Sequence, residues 1–145
     1  MWSRSELISW LQVRLADDVG VPVGEHGSPP DVGWTTGEPN VGDFVPYLVV
    51  FSGLAQPSKE GLADMFWHWN VQFTVRAWSE TRAECDSLIE ATAHSLLAAR
   101  RQCQFESWVV DHVRVDSISA VQVNKQFNPY LYSAGTTFTC ALMKK

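Results

Sequence analysis

The alternation of apolar and polar residues is most regular between Phe66 and Trp78. Successive side chains of a strand point to opposite faces, so this pattern predicts one long strand with an apolar face and a mostly polar face. The apolar face is formed by Trp67, Trp69, Val71, Phe73, Val75 and Ala77. A strand this long exceeds the usual length in globular proteins. With no catalytic motif beside it, it favours a protein that assembles over one that catalyses.

Two stretches carry apolar residues at helical spacing. The first runs from Ser3 to about Ala16 and opens with a capping box, in which Ser3 would accept a hydrogen bond from a free backbone N–H. The second runs from Ser79 to Arg100 and has a similar box at Thr81 to Glu84. Its predicted buried stripe is Cys85, Leu88, Ile89, Ala93, Leu96 and Leu97.

Shorter runs predict the remaining strands. Alternating or apolar stretches at Tyr47–Gly53, Trp108–Val123 and Leu131–Met143 read as strands, with one more short strand around Val21–Val23. We expect the Tyr47–Gly53 strand to lie antiparallel to the long strand. The order of elements predicts a single α+β domain over residues 1–145: a mixed, mostly antiparallel sheet with two helices packed on one face.

The segment from Val19 to Val45 is rich in glycine and proline. It contains six of the nine glycines and, together with Pro46, five of the seven prolines, so it predicts a long loop rather than a helix or a central strand. From Ala16 to Ser58 there is no Lys or Arg, although six acidic residues fall there. This distribution and the net charge of −5 argue against tight nucleic-acid binding.

The cysteines and the termini bear on cellular location. Three cysteines without a C-x-x-C spacing predict buried, reduced thiols in a cytosolic setting, with Cys85 packed in the second helix. Arg4 and Glu6 near the N-terminus argue against a signal peptide. No apolar run approaches the length of a membrane span, so we expect no membrane contact.

No constellation of residues in the sequence supports an enzyme. The four histidines (His26, His68, His94 and His112) lack metal-site spacing, although His68 and His112 fall on strands whose side chains could line one sheet face. Asp17 and Asp18 form an acidic turn at a helix end. There is no nucleophile elbow, phosphate-binding loop or dinucleotide fingerprint. We therefore expect no catalytic residue, no metal and no cofactor.

The order of elements resembles that of a known family. The resemblance rests on the N-terminal helix S-E-L-I-S-W-L-Q-V-R-L, the strand Y-L-V-V-F-S-G after the Pro/Gly-rich loop, and the strand W-N-V-Q-F-T-V-R-A-W running into the helix T-R-A-E-C-D-S-L-I-E-A-T. In this arrangement the chain resembles the tail terminator (tail completion) proteins of long-tailed, siphovirus-like bacteriophages, in a variant typical of phages that infect actinobacteria.

This resemblance implies a structural role. Such a protein would be assembled in the host cytoplasm and end in the virion, as a homo-hexameric ring at the head-proximal end of the tail. The ring would stop polymerisation of the tail tube protein and offer a joining surface to a head-tail connector (neck) protein. DNA would pass through without specific binding, and no reaction or cofactor is implied.

Candidate residues for this role come from the loops. Aromatic side chains in or beside them would contact a neighbouring subunit or the tube, or alternatively fold back over their own core; they are Trp34, Phe44, Tyr47, Phe127 and Tyr130. Acidic residues of the long loop would face the lumen and repel DNA; they are Asp31, Glu38 and Asp43.

Two alternative functions stay open at the level of sequence. The first is another ring-forming neck component, such as a head-closure protein. The second is a small ligand-binding or enzymatic α+β domain with a pocket on the sheet face around His68, Arg76 and His112.

Overall fold

The computed structural model describes residues 3–25, 44–57, 68–99, 104–105, 108–126 and 130–144. Two helices and seven strands are formed within this part of the chain. In chain order they are α1 (Arg4–Val19), β1 (Val23–Glu25), β2 (Tyr47–Pro57), β3 (His68–Ser79), α2 (Arg82–Leu97), β4 (Gln104–Phe105), β5 (Trp108–Ile118), β6 (Gln122–Asn124) and β7 (Leu131–Lys144). The predicted α+β class is confirmed.

The strands form one mixed sheet with the order β1-β2-β3-β7-β5-β4, and β6 pairs with β7 beyond the end of β5. Only the β1–β2 pair is parallel among the described strands, and β2 lies antiparallel to β3 as predicted. The C-terminal strand β7 lies in the middle of the sheet, between β3 and β5.

The predicted strand Trp108–Val123 is two strands. β5 ends at Ile118 and β6 starts at Gln122. In the break, the Ser119 N–H donates to the Gly135 carbonyl, and the Gly135 N–H donates to Ser119 Oγ, both at 2.8 Å. The Ser119 side chain thus replaces a backbone acceptor of the ladder, which ends regular pairing there.

The alternation that predicted the long strand is confirmed from His68 onward, whereas Phe66 and Trp67 lie outside the described residues. Val71, Phe73, Val75 and Ala77 are at most 1% exposed. Phe73 stacks on its cross-strand partner Phe138, with ring centroids 5.3 Å apart. Burying one such side chain contributes about 1.5–3 kcal/mol, so this stripe is a major source of stability.

Both helices contribute to the same apolar core as this face of the sheet. Leu7, Ile8, Leu11 and Leu15 are the buried apolar residues of α1, and those of α2 are Cys85, Leu88, Ile89 and Leu96. The helices are also tied to each other by Arg14, which donates to the Ser95 carbonyl from Nε (3.2 Å) and Nη2 (2.9 Å). Ser95 Oγ in turn donates to Asp18 at 2.5 Å.

Two details of the helices differ from the prediction. Ser3 has the extended conformation of an N-cap, but its hydroxyl pairs with Ser5 Oγ at 2.8 Å and makes no cap hydrogen bond. In α2, the buried face includes Thr92 and Ser95. Leu97, which was predicted to lie in the core, is instead 41% exposed. Thr92 is tolerated in the core because its hydroxyl donates to the Leu88 carbonyl at 2.8 Å.

Candidate functional site

The face of the sheet opposite the helices carries a connected polar network centred on Asp116. This residue lies at a bulge in β5, between the paired residues Val115 and Ser117. Its carboxylate accepts hydrogen bonds from the Thr139 hydroxyl, from Gln72 Nε2 at 3.4 Å and from Arg114 Nε at 3.1 Å. Strands β3, β7 and β5 are therefore linked by side chains as well as by backbone.

The donors around Asp116 set its charge state. Partial burial raises the pKa of Asp116, but the hydrogen bonds from Thr139, Arg114 and Gln72, with the positive charge of Arg114, outweigh it and hold the pKa below its ordinary value. Asp116 is thus an ionised acceptor at neutral pH. A carboxylate saturated in this way orients its neighbours and is a poor proton carrier.

The same face continues with paired hydroxyl and guanidinium groups. Thr74 Oγ1 lies 3.1 Å from Thr137 Oγ1, and Arg76 Nη1 donates to Ser133 Oγ at 3.3 Å. This arrangement forms an ordered polar surface on that face of the sheet.

His68 and His112 lie on this face in one cleft of about 260 Å³, which Asn70, Asp111 and Met143 also line. His112 Nδ1 is 3.0 Å from Asp111 Oδ2. Arg76 is eight residues further along β3 from His68, which is about 26 Å in a strand. The structure therefore brings the two histidines together but leaves Arg76 outside their cleft, so the pocket predicted around all three is not formed.

The described residues lack both a metal-binding cluster of His, Cys, Asp and Glu side chains and a membrane-spanning helix. They contain no group of three or more His, Cys, Asp or Glu side chains placed to hold a metal ion. Asp18, one of the two adjacent acids at the end of α1, is engaged by Ser95 and lies 3.7 Å from Arg14 Nε. Neither described helix has the length and apolarity needed to cross a membrane.

The predicted interface aromatics have different surroundings. Phe44 is buried in a small second cluster with Leu131, against which Tyr47 and Trp78 pack. Its ring centroid is 5.8 Å from that of Tyr47, and its N–H donates to Glu80 Oε1 at 3.0 Å. Phe44 and Tyr47 thus contact each other within the chain, while a contact of either ring with another subunit stays a prediction.

Tyr130 differs from this pair because it is 49% exposed. The remaining candidates lie outside the described residues; they are Trp34, Phe127, Asp31, Glu38 and Asp43. A contact of any of these side chains with another subunit, and a lumenal position for the three acids, stay predictions.

The structure also exposes apolar side chains that sequence reasoning did not select. Val13 on α1, Leu54 at the β2 bulge, and Ile118 and Val123 around the β5–β6 break are 64%, 68%, 59% and 38% exposed. Val13 lies outside the buried stripe of α1, whereas Ile118 and Val123 lie within the predicted strand Trp108–Val123, whose pattern alone does not distinguish them from core residues.

Comparison with known proteins identifies a solved structure with a similar fold. The chain is similar to a chain in the solved structure of the virion of a native gene transfer agent particle, with a TM-score of 0.52 and 14% sequence identity. The similarity covers 95% of this chain and 93% of that one. At this identity the likeness establishes a shared fold. No family model matches the sequence, and no curated protein is significantly similar to it.

Proposed function

We propose that this chain is a structural component of a phage-like virion. The observation that carries the proposal is the shared fold with a chain of a gene transfer agent virion, which extends over nearly the full length of both chains. Because the coverage is high for both chains, neither carries a large insertion relative to the other. A role in assembly also agrees with the ordered polar face and the exposed apolar side chains, which suit contacts with other proteins.

Within the virion, we propose the role of tail terminator: a homo-hexameric ring that caps the head-proximal end of the tail tube and presents a surface to the neck. The support is the order of elements that resembles this family and the shared fold. The polymerising partner is the tail tube protein, and DNA crosses the ring without being bound. No catalytic step is part of this role.

The test is termination of tube growth. Purified chain is added to tail tube protein from the same particle during polymerisation, and tube lengths are measured by negative-stain electron microscopy. A terminator shortens the tubes as its concentration rises and leaves a ring at one end. Tubes that grow to unchanged lengths, with no end density, contradict the terminator role.

The same assay separates the head-closure alternative. A head-closure ring binds the head-side connector and leaves tube elongation unaffected. Mixing the chain with purified connector, followed by size-exclusion chromatography, therefore decides between the two neck positions when tube growth is unchanged.

A further inference from the structure

The cleft that contains His68 and His112 also holds a third donor atom, the thioether sulfur of Met143. His68 on β3 pairs directly with Met143 on β7, and His112 on β5 pairs with Ala141, two residues before Met143. Directly paired residues of an antiparallel sheet point to the same face, as do residues i and i+2 of one strand. The two imidazoles and the thioether therefore share one face and line one cleft of about 260 Å³.

The register of the strands gives the spacing of these three side chains. Directly opposite residues have Cβ atoms about 4.5–5.5 Å apart, and diagonal neighbours are about 7–8 Å apart, which long side chains can span. Met143 is opposite His68 and diagonal to His112. Ala141 lies next to both Met143 and His112 in the cleft, and its small side chain leaves room above it. Three donor side chains can thus converge above Ala141.

The imidazole of His112 is oriented by its neighbour in the chain. Its Nδ1 lies 3.0 Å from Asp111 Oδ2. A carboxylate can only accept, so Nδ1 carries the proton and Nε2 keeps its lone pair. Metal-binding histidines are commonly held by a carboxylate in this way. Asp111 can do this because it lies at a bulge of β5, between the paired residues Val110 and His112, and a bulge re-aims side chains.

The chemistry of the donors selects the kind of metal. Calcium and magnesium require oxygen ligands, and zinc prefers thiolate, imidazole and carboxylate ligands. Imidazoles together with a thioether instead suit copper(I), a soft cation. We propose that His68, His112 and Met143 form a binding site for one copper(I) ion. Asp111 is the positioning residue for the His112 imidazole.

This site departs from the expectation of no metal that the sequence gave rise to. Its three donors come from three strands and are far apart in the chain, so no spacing motif marks them. One of them is a methionine, which agrees with the lack of a cluster of three His, Cys, Asp or Glu side chains among the described residues. The site does not rest on the proposed virion role, because termination of tube growth involves no metal.

The test is the affinity for copper(I), measured by competition with the chelator bicinchoninate under ascorbate and without oxygen. Thiols also bind copper(I), but Cys85 and Cys140 are buried. Cys103, which lies outside the described residues, is replaced by serine in every protein compared. We expect the folded chain to take one copper(I) ion, and zinc at equal concentration not to displace it.

Variants of the cleft locate the bound ion. His68→Ala and His112→Ala should each weaken copper(I) binding at least about 100-fold, and Asp111→Ala about 10–100-fold. Met143→Leu keeps the side-chain volume and removes only the sulfur, so X-ray absorption at the copper edge should lose a sulfur neighbour in this variant. His94→Ala is the matched control, since this histidine is exposed on α2, and it should bind copper(I) like wild type. Thermal melting of each variant checks that its fold is kept.

Four results overturn the site. They are a folded chain that takes no copper(I), histidine variants of the cleft that bind it unchanged, a copper spectrum without a sulfur neighbour, and zinc that displaces the ion at equal concentration. None of them bears on tube termination, which is measured separately with tail tube protein. Conversely, unchanged tube growth beside copper(I) binding that is lost in His112→Ala would reject the terminator role and keep the metal site.

Discussion

The hydroxyl of Ser79 donates a hydrogen bond to Oε1 of Glu84 at 2.6 Å, at the N-terminal end of α2. Thr81 Oγ1 accepts from the Glu84 N–H at 3.1 Å, as a capping box requires. In a capping box the glutamate side chain would accept from the Thr81 N–H directly. Here Ser79 lies between them: its Oγ donates to Glu84 and accepts from the Thr81 N–H at 3.3 Å. Ser79 is the last residue of β3 and is fully buried, so it couples the long strand to the helix.

Ser79→Ala should lower the free energy of unfolding by about 1–2 kcal/mol, because it leaves the Thr81 N–H and the Glu84 carboxylate without this partner. Urea denaturation followed by circular dichroism measures the change. Ser3→Ala is the matched control at the start of α1, where the hydroxyl does not cap the helix, and its effect should stay within about 0.5 kcal/mol. Equal losses in both variants would contradict this account of the cap.

The two helix starts show what a sequence pattern can and cannot predict. Both begin with a hydroxyl residue followed three positions later by glutamate, yet only Thr81 makes the cap hydrogen bond. At α1 the second serine of the box, Ser5, competes for the Ser3 hydroxyl. Local sequence therefore predicted where each helix begins, but the bonding of the cap depended on a neighbouring side chain.

Strand periodicity predicted β3 and β7 well because both are long and each packs one face on the core. The Asp116 network could not be predicted in the same way. Gln72 and Asp116 are 44 residues apart and meet only because β7 lies between β3 and β5 and because β5 bulges at Asp116. Neither the order of strands nor a bulge leaves a clear signal in one sequence, so the alternation alone gave no candidate there.

Gly53 is required by close packing at the bulge in β2. A Cβ atom on Gly53 would lie 2.9 Å from the backbone carbonyl oxygen of Gln72, which cannot move without disturbing β3. Gly53→Ala should therefore destabilise the fold by about 1–3 kcal/mol. Gly20→Ala is an informative comparison, since its Cβ would meet open space but φ is +79°, so a loss of only about 1 kcal/mol is expected there. Chemical denaturation distinguishes the two, and a harmless Gly53→Ala would refute the steric argument.

Two threonines of β7 should respond oppositely to the same substitution. Thr136 Oγ1 is buried and makes no hydrogen bond within the described part of the chain, whereas the Thr139 hydroxyl donates to the Asp116 carboxylate. Thr136→Val removes an unsatisfied group and should stabilise the protein by about 1 kcal/mol. Thr139→Val removes a donor to a charged acceptor and should destabilise it by about 1–2 kcal/mol. Melting temperatures that shift in the same direction would contradict the assignment.

Cys85 predicts a dependence of stability on alkaline pH. Burial, followed by the charge of Asp86, raises the pKa of the Cys85 thiol from 9.0 to about 11, although Arg76 and Arg82 act in the opposite direction. Above pH 9 the unfolded chain loses this proton before the folded chain does, so ionisation stabilises the unfolded state. Stability from this group is complete below pH 9 and is lost as the pH rises to about 11.

The measurement is urea denaturation at several pH values between 8 and 11, compared with Cys85→Ala. The slope of stability against pH should be smaller in the variant, even though its overall stability is reduced by the cavity. At pH 8 the native thiol should also react with iodoacetamide far more slowly than in urea, as read by peptide mass spectrometry. Parallel pH profiles for the two proteins, or fast native labelling of Cys85, would show that the thiol is not protected.

The acidic loop predicts an effect on DNA passage if the chain forms the proposed ring. Replacing Asp31, Glu38 and Asp43 by lysine changes the net charge from −5 to about +1 and would place cations where DNA passes, so genome ejection should slow while rings still assemble. The matched control replaces Asp17, Asp86 and Glu90, which are exposed on the helices and give the same change in net charge. Ejection followed by release of dye-stained DNA from particles measures the rate. Equal rates for the two triple variants would remove the loop from the DNA path, because total charge alone would then explain any change.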